Sequence, residues 1–313
     1  MDNIKRHLSY ILIAAMTAAF VIESFSLAES SFVYAGTGSG LPKVLKKPVR
    51  VLYVKNKKKK RIEYGRAAKH KSEGYSIFQG SCTDGRMTYH VLYNKRKAQK
   101  NRCRIIKVNP KTHKVIRVSR AYYIYHGNDI AFDSKRKRLV IVHGDGDTKR
   151  ISVFDPSTLK RKKVIRLNFN RSIKGISRKK AGRIKGVTGI AYDGKHDRFI
   201  ASVKSTFDYI VLTPKFKPLR YVHTKTKGDL QKQGMEISGK YILRIMNKYT
   251  KKSIQNYIYI YSMRGKYIKR VPITTNSEVE SLYFLNDRLY ASTYVERRLK
   301  KRVRRYSYIL KCR

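Results

Sequence analysis

The chain has 313 residues, of which 73 are Lys or Arg and 20 are Asp or Glu, so its formal net charge is +53. A positive excess on this scale draws anionic polymers to the surface, but it carries no information about base sequence. We therefore expect an acidic partner, and the composition argues against a sequence-specific nucleic-acid reader. The three cysteines, Cys82, Cys103 and Cys312, fit no disulfide framework because their number is odd.

Residues 1–28 have the features of a secretory signal peptide. Two basic residues, Lys5 and Arg6, precede an apolar run, and small residues allow cleavage after Ala28 or after Ala35. The alternative is an uncleaved anchor, but a run of about 15 apolar residues is short for a membrane span. We predict a secreted or cell-surface protein whose mature form has no transmembrane helix.

The segment His126–Leu167 contains the clearest repeating unit. Val, Ile and Phe alternate with polar residues in four short runs, and the breaks between them carry Gly, Pro, Asp and Ser. Similar units begin about 45–60 residues apart, the spacing of β-propeller blades. The five starting residues are Gln79, Asn128, Thr188, Gln233 and Glu280. We predict an all-β fold over residues 46–313, a five-bladed β-propeller of four-stranded antiparallel blades, with a β-sandwich as the main alternative.

The start of the exported chain has a predicted role in closing this ring. Residues 29–45 are rich in Gly and Ser and lack periodicity, so we predict a linker. The next segment, Pro48–Lys55, is predicted to be a strand, and the fifth unit supplies only three strands before the chain ends. An N-terminal strand that completes the last blade would close the ring and remove its free edges.

The candidate site lies where the innermost strands begin. Long, dissimilar loops are expected on that face, whereas the short Asp- and Gly-containing turns lie on the other. The five starting residues are all polar at the head of apolar strands, and glycines follow three of them. We predict that small residues there let neighbouring backbones approach each other. The predicted ligand-binding residues of the channel mouth are Gln79, Asn128, Asp129, His143, Thr188, Gln233, Glu236 and Glu280.

Two alternatives remain open for these residues. The polar ring could simply solvate the channel and hydrogen-bond the strand ends, or its carboxylates could act as general acid and base in a carbohydrate-active hydrolase or lyase. The second alternative would use Asp129, Glu236 or Glu280. We assign no catalytic residue, because three of the five positions carry amides. We also expect no cofactor and no metal: no Cys/His spacing resembles a zinc site, and the Gly-Asp segment after His143 lacks the rest of a calcium loop.

Short motifs support a family resemblance. The segments QGSCTDG and QGMEISG, the strands YHVLY and YILRI, and the turns NPKT and DPST resemble a group of exported five-bladed β-propeller proteins of Gram-positive anaerobes. They are more distantly similar to the propeller of phage receptor-binding and teichoic-acid-associated proteins. WD40 and kelch repeats match poorly, since the chain has no Trp. The resemblance implies a role at the cell surface and transfers no catalytic residue.

These observations together predict a non-enzymatic binding protein. Its ligand would be an anionic or hydroxyl-rich surface polymer, such as a teichoic acid or an acidic glycan, bound at the channel face. We expect the protein to act as a monomer.

Overall fold

The structure, a computed structural model, describes residues 40–55, 58, 60–64, 74–94, 101–226, 228–251, 253–299 and 302–313. The predicted signal peptide and most of the predicted linker lie outside the described residues. All described residues belong to one compact unit, Ala35–Arg313. Within them, no helix is long and apolar enough to cross a membrane.

The first sheet follows the strand order β2-β3-β4-β5, and a short strand β6 also pairs with β4. β-Branched and aromatic residues, which favour a pleated and half-buried surface, form its strands. The bounds are β2 (Tyr75–Thr83), β3 (Thr88–Asn94), β4 (Arg102–Val108), β5 (Val115–Val118) and β6 (Tyr122–Tyr123).

The second sheet is the unit that the sequence indicates most clearly. Its strands are β7 (Asp129–Asp133), β8 (Arg138–Val142), β9 (Arg150–Phe154) and β10 (Arg161–Arg166), and they pair in that order as an antiparallel meander. Only β10 is largely exposed, so it forms the outer edge of the sheet.

A short helix, α1 (Arg178–Gly182), lies in the connection to the third sheet. That sheet contains β11 (Val187–Asp193), β12 (Arg198–Val203), β13 (Tyr209–Leu212) and β14 (Pro218–Val222), again in sequential antiparallel order. The Ser177 hydroxyl caps α1 by accepting a hydrogen bond from the Lys180 backbone N–H, as expected of a serine at this position.

The fourth sheet contains β15 (Gln231–Ser238), β16 (Tyr241–Tyr249), β17 (Ile254–Ser262) and β18 (Tyr267–Thr274). These strands also pair in sequential antiparallel order.

The strands β19 (Glu278–Leu285), β20 (Arg288–Leu299) and β21 (Arg302–Cys312) form, with the N-terminal strand β1 (Val49–Tyr53), a group that we call the fifth sheet. Pairing of β1 with β18 joins the fourth and fifth sheets in one eight-stranded sheet of order β15-β16-β17-β18-β1-β21-β20-β19. β1 pairs antiparallel with β21 and, at its first two residues, parallel with β18. It lies within the predicted strand Pro48–Lys55. A short 3-10 helix, Lys43–Leu45, precedes it inside the predicted linker.

The five sheets share their hydrophobic cores with their neighbours. One core lies between each consecutive pair of sheets, and a fifth core joins the last sheet to the first through residues such as Tyr283 and Phe78. The innermost strands β2, β7, β11, β15 and β19 pack against one another in that order, and β19 packs against β2. The predicted all-β class and the four-stranded antiparallel sheets are thus confirmed.

The short turns between the first and second strands and between the third and fourth strands of a sheet are stabilised locally. Asp84 Oδ1 accepts hydrogen bonds from the backbone N–H groups of Arg86 and Met87 at 2.8 and 2.6 Å. Asp155 Oδ1 accepts in the same way from Ser157 and Thr158, both at 2.9 Å. This is the side-chain-to-backbone bonding that makes Asp a turn former, as predicted for these two aspartates.

Glycines allow the innermost strands to approach closely. A Cβ atom added to Gly80 would lie 2.5 Å from the Cα atom of Asp129 and 2.5 Å from the backbone nitrogen of Ile130. One added to Gly234 would lie 2.7 Å from Ser281 Oγ. The backbone contact at Gly80 cannot be relieved by rotating a side chain, so this position requires glycine. The predicted role of small residues near the axis is confirmed here.

We predict that Gly80→Ala destabilises the protein by about 1–3 kcal/mol, the usual cost of forcing an extra carbon into a packed interior. Gly40→Ala is the matched control, because no atom lies within 4 Å of the added carbon. Urea unfolding of both variants would measure the difference. Equal unfolding free energies for the two variants would contradict the close approach of β2 and β7.

Candidate functional site

Four of the five aligned polar residues lie at irregularities in the pairing of the innermost strands. The register shifts between Phe78 and Ser81, between Val187 and Gly189, between Lys232 and Met235, and between Val279 and Ser281. The shifts enclose, in strand order, Gln79, Thr188, Gln233 and Glu280. The prediction that these residues stand at the very head of their strands is wrong, because each strand begins one to four residues earlier. Bulges redirect side chains. These four residues therefore have a bulge in common, not a strand end.

Asp129 connects innermost strands of different sheets. Its Oδ2 atom accepts hydrogen bonds from the backbone N–H groups of Ile190 at 2.9 Å and Met235 at 3.0 Å. Its Oδ1 atom accepts from Ile130 N at 3.0 Å and from Ser281 Oγ at 3.3 Å. The carboxylate is fully buried. It therefore ties together β7, β11, β15 and β19.

The network around Asp129 also reaches the first sheet. The hydroxyl oxygen of Ser281 accepts a hydrogen bond from the backbone N–H of Ser81 on β2 at 3.1 Å. Burial raises the pKa of Asp129 to about 7, although the hydrogen bonds it accepts stabilise the charged form. All of its acceptor positions are used by the protein, so we interpret Asp129 as a connector of the five strands and not as a group that meets substrate.

A second cluster of polar groups surrounds Glu278 at the start of β19. Glu278 Oε1 accepts a hydrogen bond from Gln233 Nε2 at 2.9 Å and another from the hydroxyl of Tyr249. Burial, and then the charge of Glu278, raise the pKa of the neighbouring Glu280 well above its usual range. Two carboxyl groups in a buried space cannot both be ionised at low cost. Burial and the neighbouring carboxyl group therefore both favour the protonated form of Glu280.

Glu278 and Tyr249 were not among the predicted site residues. The available signal for Glu278 was its position two residues before Glu280, which places both residues on the same innermost strand. Tyr249 offered no signal, because it is one of 24 tyrosines in the chain, many of them in alternating strand positions.

Gln79 and Thr188, two further predicted residues, form hydrogen bonds within their own sheets. Gln79 Nε2 donates to the carbonyl oxygen of Phe78 at 3.0 Å, and Thr188 Oγ1 lies 3.1 Å from Ser202 Oγ. Ser202 Oγ also accepts a hydrogen bond from Arg244 Nη2 at 2.7 Å. Arg244 is fully buried beside the Tyr209 ring. Sequence inspection could not single it out among 73 basic residues.

The polar residues of the second sheet form a separate group. His143 is buried, and its Nε2 atom lies 2.8 Å from Ser152 Oγ. Burial and the nearby charges of Arg161 and Arg150 lower the pKa of His143 to about 4. The imidazole is therefore neutral at physiological pH. Asn128 is also largely buried, and its Oδ1 atom has no hydrogen-bond partner among the described residues.

Glu236 differs from the other predicted residues because it is only half-buried. Its Oε1 atom accepts a hydrogen bond from Ile237 N at 2.8 Å. Burial raises its pKa to about 8, and the charge of Asp129 acts in the same direction. The structure thus brings Asp129 and Glu236 into electrostatic contact and places Gln233, Glu278 and Glu280 in a second cluster.

The cysteines and potential metal ligands add no further centre within the described residues. Cys82, Cys103 and Cys312 are free and buried, and burial raises the pKa of each thiol. In the same part of the chain, no group of three or more His, Cys, Asp or Glu side chains is arranged to hold a metal ion.

Comparison with known proteins identifies the fold. No protein-family model and no curated protein sequence matches the chain. The exo-β-1,3-galactanase of Phanerochaete chrysosporium, solved with β-1,3-galactotriose, is 11% identical at a TM-score of 0.50, over 84% of this chain and 64% of that chain. The chain therefore spans less than two thirds of the galactanase.

Two further solved structures are more weakly similar. The glutaminyl cyclase of Myxococcus xanthus is 11% identical at a TM-score of 0.48, over 85% of this chain and 99% of that chain. The WD40 repeats of RRP9 are 10% identical at a TM-score of 0.41, over 70% and 75%. Identities this low bear on the fold alone. The structural neighbours are β-propeller proteins, whereas the resemblance to exported propellers of Gram-positive anaerobes stays a prediction.

We predict that Glu236 makes stability depend on pH. Because its pKa is raised to about 8 in the folded state, above the usual 4.5 of a glutamate, the stability that its protonated form contributes is complete below about pH 4.5 and is lost as the pH rises through about 8. The unfolding free energy of the wild type, relative to that of Glu236→Gln, should therefore decrease from pH 5 to pH 9. Urea titrations at several pH values would measure it.

The exposed turn variant Asp287→Asn controls for the change in net charge. A difference between the wild type and Glu236→Gln that stays constant from pH 5 to pH 9 would contradict the raised pKa of Glu236.

Proposed function

We propose that the protein is an exported, non-enzymatic β-propeller that binds an anionic, hydroxyl-rich polymer of the cell surface, such as a teichoic acid or an acidic glycan. We further propose that its propeller is a ring of five blades that β1 closes. The cyclic packing of the five innermost strands and the pairing of β1 with β21 support this ring.

The observation that carries the proposed function is how the charges are distributed. Acidic side chains of the described chain are largely used internally: Asp129 and Glu280 are buried in the interior, and turn carboxylates pair with neighbouring cations. Asp133 Oδ2, for example, lies 2.8 Å from Arg138 Nε. The large surplus of Lys and Arg is left to face solvent, where it attracts a polyanion over a distance set by ionic strength.

The burial of the predicted mouth residues bears on where the ligand binds. Gln79, Thr188, Gln233 and Glu280 are each less than 9% exposed. Most of their described hydrogen bonds run to protein groups, so they offer a polymer little free hydrogen-bonding capacity. This supports a contact through the exposed charges around the mouth more than through the ring of polar side chains.

A carbohydrate-active hydrolase or lyase is the second candidate function. The Glu278–Glu280 pair favours it, because burial and the charge of Glu278 raise the pKa of Glu280, and a general acid requires a carboxyl group with a raised pKa. Asp129 weighs against it, since its oxygens already accept hydrogen bonds from three backbone amides and a hydroxyl.

We predict that the full-length protein binds teichoic acid and polygalacturonate at low ionic strength and that both affinities fall steeply as salt is added. Neutral dextran should not bind, because the attraction is electrostatic. Titrations followed by calorimetry over a series of NaCl concentrations would measure this. The absence of binding to both polyanions at the lowest salt concentration would contradict the proposed function.

The same polymers separate binding from catalysis. Binding without cleavage is the expected result. Release of reducing ends or unsaturated products from a glycan, abolished by Glu280→Gln, would establish the hydrolase or lyase instead.

A further inference from the structure

The connection between the second and third sheets is rich in cations and lacks acidic residues. From Ser157 to Tyr192 the sequence contains no Asp or Glu. Between Lys160 and Lys185 it contains twelve Lys or Arg residues. We call the segment 160–186 the basic track. It starts before the outer strand β10, passes through α1 and ends at Gly186, directly before β11.

The backbone of the basic track is fixed to the protein. Leu167, Phe169, Ile173 and Ile184 are buried in the core between the second and third sheets. The backbone of Lys174 also pairs with β14, donating to Leu219 O at 3.1 Å and accepting from Tyr221 N at 2.8 Å. A partner that binds here therefore pays little for ordering the protein backbone.

The side chains of the basic track are exposed and mostly lack anionic partners. Lys162 pairs with Asp155, with Nζ and Oδ2 at 2.8 Å. By contrast, Lys163, Arg166 and Lys179 are exposed and have no ion pair or side-chain hydrogen bond with any other described residue. Two cations on the turn side of the sheets differ, since Arg138 and its equivalent Arg198 each contact a buried aspartate.

The position of the basic track links the rim of the molecule to the channel mouth. β10 is the exposed outer strand of the second sheet. The other end of the track reaches Thr188, one of the predicted mouth residues, and is held there by the hydrogen bond from Thr148 Oγ1 to Lys185 O at 2.5 Å. An extended polymer can thus contact several cations in succession between the outer edge and the mouth.

The chemistry of the basic track favours recognition of charge over stacking. Its only aromatic residue, Phe169, is buried in the core. Stacking on a base or on the apolar face of a sugar ring needs exposed aromatic side chains, so recognition here depends on charge alone. Lysine and arginine are both phosphate binders, as a point charge and as a bidentate fork.

We propose that the basic track binds a linear phosphodiester polymer of the poly(glycerol phosphate) type, through its phosphate groups and without recognition of a base or sugar. This inference rests on the proposed function and assigns it a surface and a partner. Six exposed cations of the track are suited to a test: Lys163, Arg166, Arg171, Lys174, Lys179 and Arg183.

The experiment compares two full-length variants that lose the same charge. The track variant replaces these six residues by Gln. The control variant replaces six exposed cations of the first and third sheets and their turns by Gln: Lys111, Lys114, Arg117, Lys195, Lys215 and Lys217. Binding of poly(glycerol phosphate), polygalacturonate and duplex DNA is titrated at several salt concentrations, and thermal unfolding shows that both variants are folded.

The expected result is that the track variant binds poly(glycerol phosphate) at least about tenfold more weakly than the wild type, with a shallower dependence of log affinity on log salt. The control variant should lose less than about twofold. Equal losses of affinity in both variants would show that the basic track is not the binding surface, and would leave the proposed function intact. Tighter wild-type binding of polygalacturonate than of poly(glycerol phosphate), or unchanged binding of duplex DNA by the track variant, would overturn the assigned phosphodiester chemistry, and no binding of any polyanion would overturn the proposed function itself.

Discussion

The buried carboxylate of Asp129 is the interaction on which the innermost layer of the fold depends. It accepts backbone hydrogen bonds from β11 and β15 and a hydroxyl hydrogen bond from Ser281 on β19. The same Ser281 hydroxyl accepts from the backbone of β2. Glycines at 80 and 234 allow these backbones to come close enough. Burying a charge is costly unless it is fully hydrogen-bonded, and here one carboxylate satisfies that condition while joining four innermost strands directly and β2 through Ser281.

This arrangement separates the interior from the surface in electrostatic terms. The few carboxyl groups near the axis are buried, bonded to protein groups or raised in pKa, as Glu236 and Glu280 are. The surplus of cations lies outside, and the basic track concentrates unpaired ones on a fixed backbone. We therefore infer that the interior serves cohesion, while the outer edge and the long connection of the second sheet serve binding. In this account the polar mouth residues contribute mainly to holding the strand bulges in place.

Much of the fold follows from local patterns. Alternating Val and Ile residues predict the strands, and Asp84 and Asp155 predict turns because each aspartate bonds to amides two and three residues further on. The role of Asp129 could not be predicted in this way. Its partners Ile190 and Met235 are 61 and 106 residues away in the sequence, and no local pattern records contacts of that range. The burial of Arg244 could not be predicted either, because the sequence contains many basic residues. The strand starts were predicted too late in the sequence, because the aligned polar residues lie in bulges and not at strand ends.

Amide hydrogen exchange is the most direct test of the role of Asp129, because it reports on individual backbone N–H groups. We predict that the amides of Ile130, Ile190 and Met235 exchange among the slowest of the chain. We also predict that Asp129→Asn, which replaces one acceptor oxygen by a donor, accelerates exchange at Ile190 and Met235 more than at amides paired within a sheet. Rapid exchange at Ile190 and Met235 in the wild type, or an effect of the substitution confined to Ile130, would contradict the role of Asp129 as the connector of the innermost strands.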